Sequence, residues 1–185
     1  MATPAVSRPP RRLKDHEVAR VVAAGRRLGY PLGTLAEVLA LTGAPPRAAR
    51  FMRWADIDHD RAIWTPRAQK EEPATSGAVP LVPEVLKLLN AVPARDHAYV
   101  FAGPTGRACA DDARKRGIIA KAAGLDDFEF ADIWHTLHSE LSHPERRETL
   151  ENWARLIQSL LAPPEQPDMT LPVPREKPLP QPTSE

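Results

Sequence analysis

The chain has 185 residues, of which 42% are hydrophobic and 26% charged, and its formal net charge is +1. This is the composition of a soluble globular protein, and the length allows one ordinary domain with a sizeable core. The single cysteine, Cys109, excludes a disulfide framework within the chain and a cysteine metal cluster. No apolar run approaches the roughly 18–20 residues that a membrane span needs, and no secretory signal is recognisable. The sequence therefore predicts a cytoplasmic protein without a membrane partner.

Basic residues are concentrated at the N-terminus. Residues 1–30 hold seven arginines and lysines against Asp15 and Glu17, a local charge of +5, so the remainder carries about −4. We predict a basic, disordered arm over residues 1–14. Such an arm suits loose contacts with phosphates. A solvated tail with no partner is the alternative.

Three helices are predicted in the first third of the chain. Apolar positions at helical spacing favour a helix over residues 15–29. Thr34 is a candidate N-cap of a second helix, which Gly43 ends. Pro45-Pro46 suits the first turn of a third helix, where missing N–H groups cost nothing. That helix is expected to carry Ala49, Phe51 and Met52 and to extend to Trp54 at most.

Extended segments follow in the middle of the chain. Residues 58–61 read as a turn, and residues 62–65 as a strand after it. A second extended piece is predicted at residues 78–81. The apolar run at residues 99–101 is predicted to be a short buried strand.

The last part of the ordered chain is predicted to be helical again. Helices are expected at residues 83–90, 107–123, 130–141 and 145–161. The order of helices, a small sheet and more helices predicts a mainly α fold with a small antiparallel β-sheet, an α+β domain over residues 15–162.

A proline-rich tail ends the chain. Eight of the 23 residues from 163 to 185 are proline, with few apolar residues between them. Such a segment cannot bury enough surface to offset the entropy of ordering it. We predict a disordered tail with polyproline-II character that acts as a spacer or docks a protein partner.

Four segments, in order, resemble the tyrosine recombinases (phage integrases). Residues 41–58 resemble the family's Leu-Thr-Gly-x-Arg and Arg-Trp-x-Asp-Ile-Asp motifs. Lys70 resembles the family's β-hairpin lysine, and residues 79–81 resemble the Val-Pro-Leu segment that follows it. Residues 99–101 resemble the family's Tyr-Val-Phe. Residues 131–156 resemble its His-Asp-Leu-Arg-Arg-Thr, Leu-Gly-His and Tyr-Ala-His-Leu series. The resemblance implies the catalytic-domain fold of that family.

The resemblance also implies a chemistry. In this family a tyrosine hydroxyl attacks a DNA phosphodiester, which gives a covalent phosphotyrosine and a free 5′-hydroxyl. Two arginines stabilise the charge on the phosphate oxygens, while a histidine and the hairpin lysine assist proton transfer. No metal and no cofactor takes part.

Most of these catalytic residues are replaced here. Family catalytic positions are occupied by residues with neither suitable charge nor nucleophilicity: Pro45, Ala131, Trp134 and Trp153. Lys70 and His143 survive as relics or phosphate contacts. Because an indole cannot attack phosphorus, the resemblance implies a catalytically inactive domain. We further expect the indoles of Trp134 and Trp153 to face one another and fill the old active site.

Duplex DNA is the expected partner, bound weakly. The candidate contacts are basic residues of the arm, the first helix, the third helix and the hairpin: Arg8, Arg11, Arg12, Lys14, Arg26, Arg27, Arg47 and Lys70. Arg47 is a poor substitute for the arginine missing at Pro45, because two residues of helix turn a side chain about 200°.

Three readings stay open: an inactive DNA-binding or prophage remnant, a protein-interaction adaptor that uses the tail, and an active recombinase with relocated catalytic residues. A metal site at His135, His138 and His143 is not expected, since apart from Glu140 no carboxylate or cysteine stands at an obvious spacing for a further ligand.

Overall fold

Seven helices and three short strands make up the described part of the chain. The computed structural model describes residues 11–67, 78–93, 96–110, 112–138 and 146–162, and of residues 138, 146 and 147 only the backbone. The helices are α1 (Asp15–Leu28), α2 (Leu32–Thr42), α3 (Pro46–Arg50), α4 (Pro83–Asn90), α5 (Ala113–Ala123), α6 (Phe130–His138) and α7 (Arg146–Leu161). The strands are β1 (Ile57–Asp58), β2 (Ile63–Trp64) and β3 (Val79–Pro80).

The sheet is antiparallel, with β2 in the middle. Ile57 pairs with Trp64, and Trp64 in turn pairs with Val79. The turn that joins β1 to β2 is closed by the Asp58 carboxylate, which accepts a hydrogen bond from the Arg61 N–H at 2.9 Å. The predicted fold class, mainly α with a small antiparallel sheet, is confirmed.

The segment at residues 99–101 differs from the prediction. It forms no strand of the sheet, and an isolated bridge links Tyr99 to Arg53 instead. Val100 and Phe101 are fully buried. Its backbone is paired outside the sheet, since the Val100 N–H donates to the Met52 oxygen at 2.9 Å and the Phe101 oxygen accepts from the Cys109 N–H at 2.8 Å.

Glycines end the first two helices as predicted. Gly29 follows α1 with a φ of 75°, and Gly43 follows α2 in the left-handed conformation, where a side chain would be strained. The predicted start of α2 is wrong, because the helix begins at Leu32 and Thr34 lies inside its first turn. Pro31 occupies the N-cap position.

The predicted start of α5 is also too early. The helix begins at Ala113 rather than at residue 107, because the Asp112 carboxylate accepts hydrogen bonds from the N–H groups of Arg114 and Lys115. An aspartate at this position satisfies donors that have no partner within the helix. Gly124 ends the helix in the left-handed conformation.

Helix α2 lies at the centre of the fold. Ten of its 11 residues are buried, so it is enclosed on all sides rather than on one face. It contacts α1 most extensively, and also α3, α4, α5, α6 and α7. Gly25 of α1 and Gly33 of α2 meet where the two backbones approach closely.

Residues 11–14, predicted as part of the arm, lie against α6. The Leu13 side chain is buried, and its N–H donates to the Thr136 hydroxyl at 2.8 Å. The Arg11 N–H donates to the Asp132 carboxylate at 3.3 Å. Residues 1–10 and the proline-rich segment 163–185 lie outside the described residues. None of the described helices is long and apolar enough to cross a membrane.

Candidate functional site

The residue at the first missing arginine position stands just before α3. Pro45 has a φ of −60° and a ψ of 133°, and Pro46 is the first helical residue. Pro46 opens the helix as predicted, whereas Pro45, also predicted in the first turn, lies before it at the N-cap. The helix is much shorter than expected, since it ends at Arg50 and Phe51 already occupies the C-cap.

A cleft of about 360 Å³ opens between α3 and α6. Its walls come from α2, α3, α6 and the residue before α6: Leu32, Leu35, Pro46, Arg47, Arg50, Glu129, Phe130 and Ala131. Ala131 is the position at which the resemblance places a catalytic histidine. Two arginines therefore share a cleft with one of the replaced catalytic positions.

Arg47 lines the cleft together with Ala131, whereas Pro45 does not line it. The rotation of about 200° was counted from Pro45 as if it belonged to the helix. Pro45 has an extended ψ, so this count does not apply to the step from Pro45 to Pro46. That Arg47 is a poor substitute for the missing arginine stays a prediction.

Arg50 is the residue of this cleft that the sequence analysis missed. Its guanidinium lies over the Phe51 ring, 5.0 Å from the centroid. Its Nε atom is buried and has no hydrogen-bond partner within the described ranges. The signal in the sequence was the spacing of Arg47 and Arg50, because residues three apart share one face of a helix.

The charge balance of the cleft is positive. Glu129 is its acidic residue, and the Glu129 carboxylate lies 3.6 Å from the Arg116 guanidinium outside the cleft. Half of the Glu129 side chain is exposed to solvent, which weakens its field at the two arginines. The arrangement suits an anion, and a phosphate accepts hydrogen bonds from guanidinium groups particularly well.

Trp153, which the resemblance places at the nucleophile position, belongs to the core. The residue is only 9% exposed, and its indole N–H donates to the backbone oxygen of Ala40 at 2.7 Å. Ala40 is one of the last four residues of α2, whose carbonyl groups lack partners within the helix. Trp153 thus supplies a donor to one carbonyl group at the C-terminal end of α2.

Trp134, at the second missing arginine position, is half-buried on α6. Its ring lies against that of His135, with the centroids 4.6 Å apart. The burial of Trp153 agrees with the expectation that it packs as an apolar residue. That the two indoles face one another stays a prediction.

The two tyrosines of the chain, Tyr30 and Tyr99, each hold a hydrogen bond between distant segments. The Tyr30 hydroxyl donates to the Val100 oxygen at 3.2 Å and accepts from the Ala102 N–H at 2.8 Å. Burial raises the pKa of Tyr30 above its ordinary value, so its phenolate is harder to form. The Tyr99 hydroxyl accepts from Arg53 at 3.0 Å. Both hydroxyls are part of the packing between distant segments.

The other predicted DNA contacts are scattered. Arg11 pairs with Glu17 at 2.7 Å, and the Arg27 guanidinium donates to the Ala122 oxygen at 3.5 Å. Arg12 and Lys14 are exposed. The structure does not gather these residues at the α3–α6 cleft. Three further candidates lie outside the described residues: Arg8, Lys70 and His143.

Arg26, also predicted to contact DNA, pairs with a buried carboxylate. Its Nε atom donates to Glu37 of α2 at 2.8 Å. Glu37 is only 4% exposed, and burial raises its pKa above the ordinary value of 4.5, although Arg26 opposes the shift. The folded state therefore holds the Glu37 proton more tightly than the unfolded state does.

This shift predicts a pH dependence of stability. Between the ordinary pKa of 4.5 and the raised one, the folded state binds more protons, so the free energy of unfolding falls as pH rises through that window. Glu37→Gln should remove this decline. Urea unfolding of both proteins from about pH 4 to about pH 8 measures it. Glu148→Gln, an exposed position on α7, is the control and should keep the wild-type profile. Parallel profiles for wild type and Glu37→Gln would contradict the assignment.

Metal ligands do not gather in the described part of the chain, where no group of three histidine, cysteine, aspartate or glutamate residues is placed to hold an ion. His135 packs its ring against Trp134. His143 falls outside the residues to which this statement applies.

Comparison with known proteins identifies the fold. The chain is similar to the crystal structure of XerA recombinase, with a TM-score of 0.57 and 18% sequence identity. The match covers 89% of this chain and 63% of that one, so the chain spans less than two thirds of the recombinase. No protein-family model and no curated protein matches the sequence. At this identity the likeness shows a recombinase-like fold, as the sequence motifs predicted.

Proposed function

We propose that the chain is a tyrosine-recombinase-like domain that has lost DNA cleavage and retains weak binding to duplex DNA, as a remnant of an integrase. The observation that carries the proposal is the state of Trp153. A buried indole stands at the family's nucleophile position, and its N–H is bound to the Ala40 carbonyl. It has no atom that can attack phosphorus, so the covalent step has no nucleophile.

The remaining substitutions support the same conclusion. Removing one preorganised donor to the reacting oxygens commonly lowers the rate about 10²–10³-fold. Neither arginine position holds an arginine, since Pro45 and Trp134 stand there, and the histidine position is Ala131. Even with the non-additivity of residues that act as a unit, little activity would remain. Arg47 and Arg50 place positive charge near Ala131, but charge alone does not supply a nucleophile.

Retained DNA binding is supported by the α3–α6 cleft. Its two arginines offer guanidinium donors to a phosphate of the backbone. Contacts of this kind position a protein on DNA without reading its sequence. Binding is therefore expected to be weak, independent of sequence and strongly dependent on salt.

The experiment is a salt titration of duplex binding, followed by fluorescence anisotropy of a labelled duplex. The double variant Arg47→Gln, Arg50→Gln should bind more weakly than wild type. The slope of log K against log salt should fall by roughly 0.9 for each phosphate that the variant no longer neutralises. The matched control is Arg114→Gln, Lys121→Gln, which removes the same charge from exposed positions on α5. Equal slopes for the cleft variant and the control would contradict binding at the cleft.

A second experiment tests the loss of DNA cleavage. Wild-type protein is incubated with a nicked suicide substrate, beside an active integrase as the positive control. We expect no protein–DNA adduct on a denaturing gel from this chain. A covalent adduct would overturn the proposal in favour of an active recombinase with relocated residues.

A further inference from the structure

A second, smaller cleft lies at the other end of α3. It has a volume of about 240 Å³ and is bounded by α3, the 3₁₀ turn Trp54–Asp56, β2 and the segment around Tyr99. Its lining comprises Ala48, Phe51, Arg53, Asp56, Trp64, Arg67 and Tyr99. It shares no lining residue with the α3–α6 cleft, and none of the predicted contacts belongs to it.

Hydrogen-bond donors converge in this cleft. Arg53 donates through Nη2 to the Tyr99 hydroxyl at 3.0 Å, and its guanidinium lies 4.9 Å from the centroid of the Tyr99 ring. Since that hydroxyl oxygen accepts, its own proton is left to donate elsewhere. Arg67 donates through Nε to both carboxylate oxygens of Asp56, at 2.8 and 3.0 Å. Among the described residues Asp56 is the partner of Arg67 and uses only its Nε atom, so its terminal nitrogens can serve a further acceptor.

Acceptors are scarce by comparison. Asp56 is the carboxylate of the lining and is already paired, so two guanidiniums face one negative charge. The Trp64 side chain is 1% exposed, and its indole N–H has no acceptor among the described residues. A ligand that suits this site must bring several acceptor oxygens and negative charge.

The walls add apolar surface to these donors. The rings of Phe51 and Tyr99 pack edge to face, with centroids 6.2 Å apart. Aromatic faces beside guanidinium groups are a common combination for phosphate-bearing ligands, because the rings contact the organic part while the arginines bind the oxygens. A carboxylate offers two coplanar oxygens, whereas a phosphate presents oxygens in several directions. Donors from Arg53, Arg67 and Tyr99 match the latter better.

We propose that this second cleft binds a phosphate group through Arg53, Arg67 and the Tyr99 hydroxyl, carried either on a free nucleotide or on a nucleic-acid strand. The proposal does not rest on the proposed function. A free phosphate can bind here whether or not the α3–α6 cleft binds a duplex, and the two clefts are altered by different variants.

The test uses the full chain, labelled with ¹⁵N at its four tryptophans. The Trp64 indole signal is assigned from its loss in Trp64→Phe. Inorganic phosphate is added at constant ionic strength, with chloride as the balancing salt. We expect the Trp64 signal to shift saturably, while the Trp153 signal, whose N–H is bound to Ala40, stays in place. A Trp64 signal that does not move, or that moves linearly without saturation, would overturn the proposal.

A variant and two ligands complete the test. Arg67→Gln should weaken phosphate binding about tenfold through the loss of a charged hydrogen bond; its side chain is 58% exposed, so the fold is expected to tolerate the change. Lys87→Gln, an exposed position on α4, is the matched control and should bind like wild type.

AMP and a short duplex are then titrated. Saturable shifts of Trp64 that weaken in Arg67→Gln support the proposal and identify the source of the phosphate. A saturable shift that Arg67→Gln leaves as strong as in wild type rejects the proposal, as does the absence of a saturable response to inorganic phosphate.

Discussion

Gly33→Ala is expected to destabilise the fold by about 3 kcal/mol or more, at the upper end of overpacking substitutions. A Cβ atom at Gly33 would overlap the carbonyl group of Gly25 on α1, and a Cβ at Gly25 would lie 2.8 Å from the Gly33 oxygen. Both obstacles are backbone, so no side-chain rotation relieves them. The two helices would have to separate along the most extensive contact of the fold. Urea unfolding followed by circular dichroism measures the loss.

Gly117→Ala is the matched control for this prediction. Gly117 lies within α5, and an added Cβ would meet nothing within 4 Å. Alanine is favoured over glycine inside a helix by roughly 0.5–1 kcal/mol, so this variant should be as stable as wild type or more stable. A Gly33→Ala protein as stable as Gly117→Ala would show that α1 and α2 do not pack as closely as described.

Trp153→Ala is expected to cost about 3–5 kcal/mol, as for other large aromatic residues removed from a core. The change empties space at the end of α2 and leaves the Ala40 carbonyl without its indole donor. Trp153→Phe should cost less, because it retains a ring and loses mainly that hydrogen bond, at about 1–3 kcal/mol for a buried unsatisfied group. Denaturant unfolding of both variants separates the packing contribution from that of the hydrogen bond.

Leu160→Ala is the control on the same helix. Leu160 is 44% exposed, and substitutions at such sites commonly change stability by less than about 0.5 kcal/mol. If Trp153→Ala were no more destabilising than Leu160→Ala, the indole would not belong to the core. The claim that the nucleophile position has become structural would then fail.

Local signals in the sequence predicted much of the architecture. Gly29, Gly43 and Gly124 end helices where predicted, because positive φ is favoured at glycine and the pattern is readable in a few residues. Pro83 opens α4 as predicted, because its fixed φ suits the first helical position and its missing N–H would have no partner there. The fold class could therefore be predicted without a structure.

The sites were less accessible to this reasoning. Trp153 meets Ala40 across 113 positions of sequence, and no local pattern records such a contact. The second cleft depends on the bridge between Arg53 and Tyr99, which helix packing brings together. The direction of the Arg47 side chain could not be obtained by counting helical turns from Pro45, which lies outside the helix. Periodicity describes one element, whereas a site arises where several elements meet.

The hydrogen bond between Trp153 and Ala40 also bears on the evolutionary history that the proposal assumes. Once an indole supports the end of α2, restoring tyrosine at that position removes a structural interaction before any activity returns, because the arginines at Pro45 and Trp134 would still be missing. A single reversion would thus lower stability and gain nothing in catalysis. If the proposed history holds, the packing of Trp153 against α2 opposes the return of a tyrosine at this position.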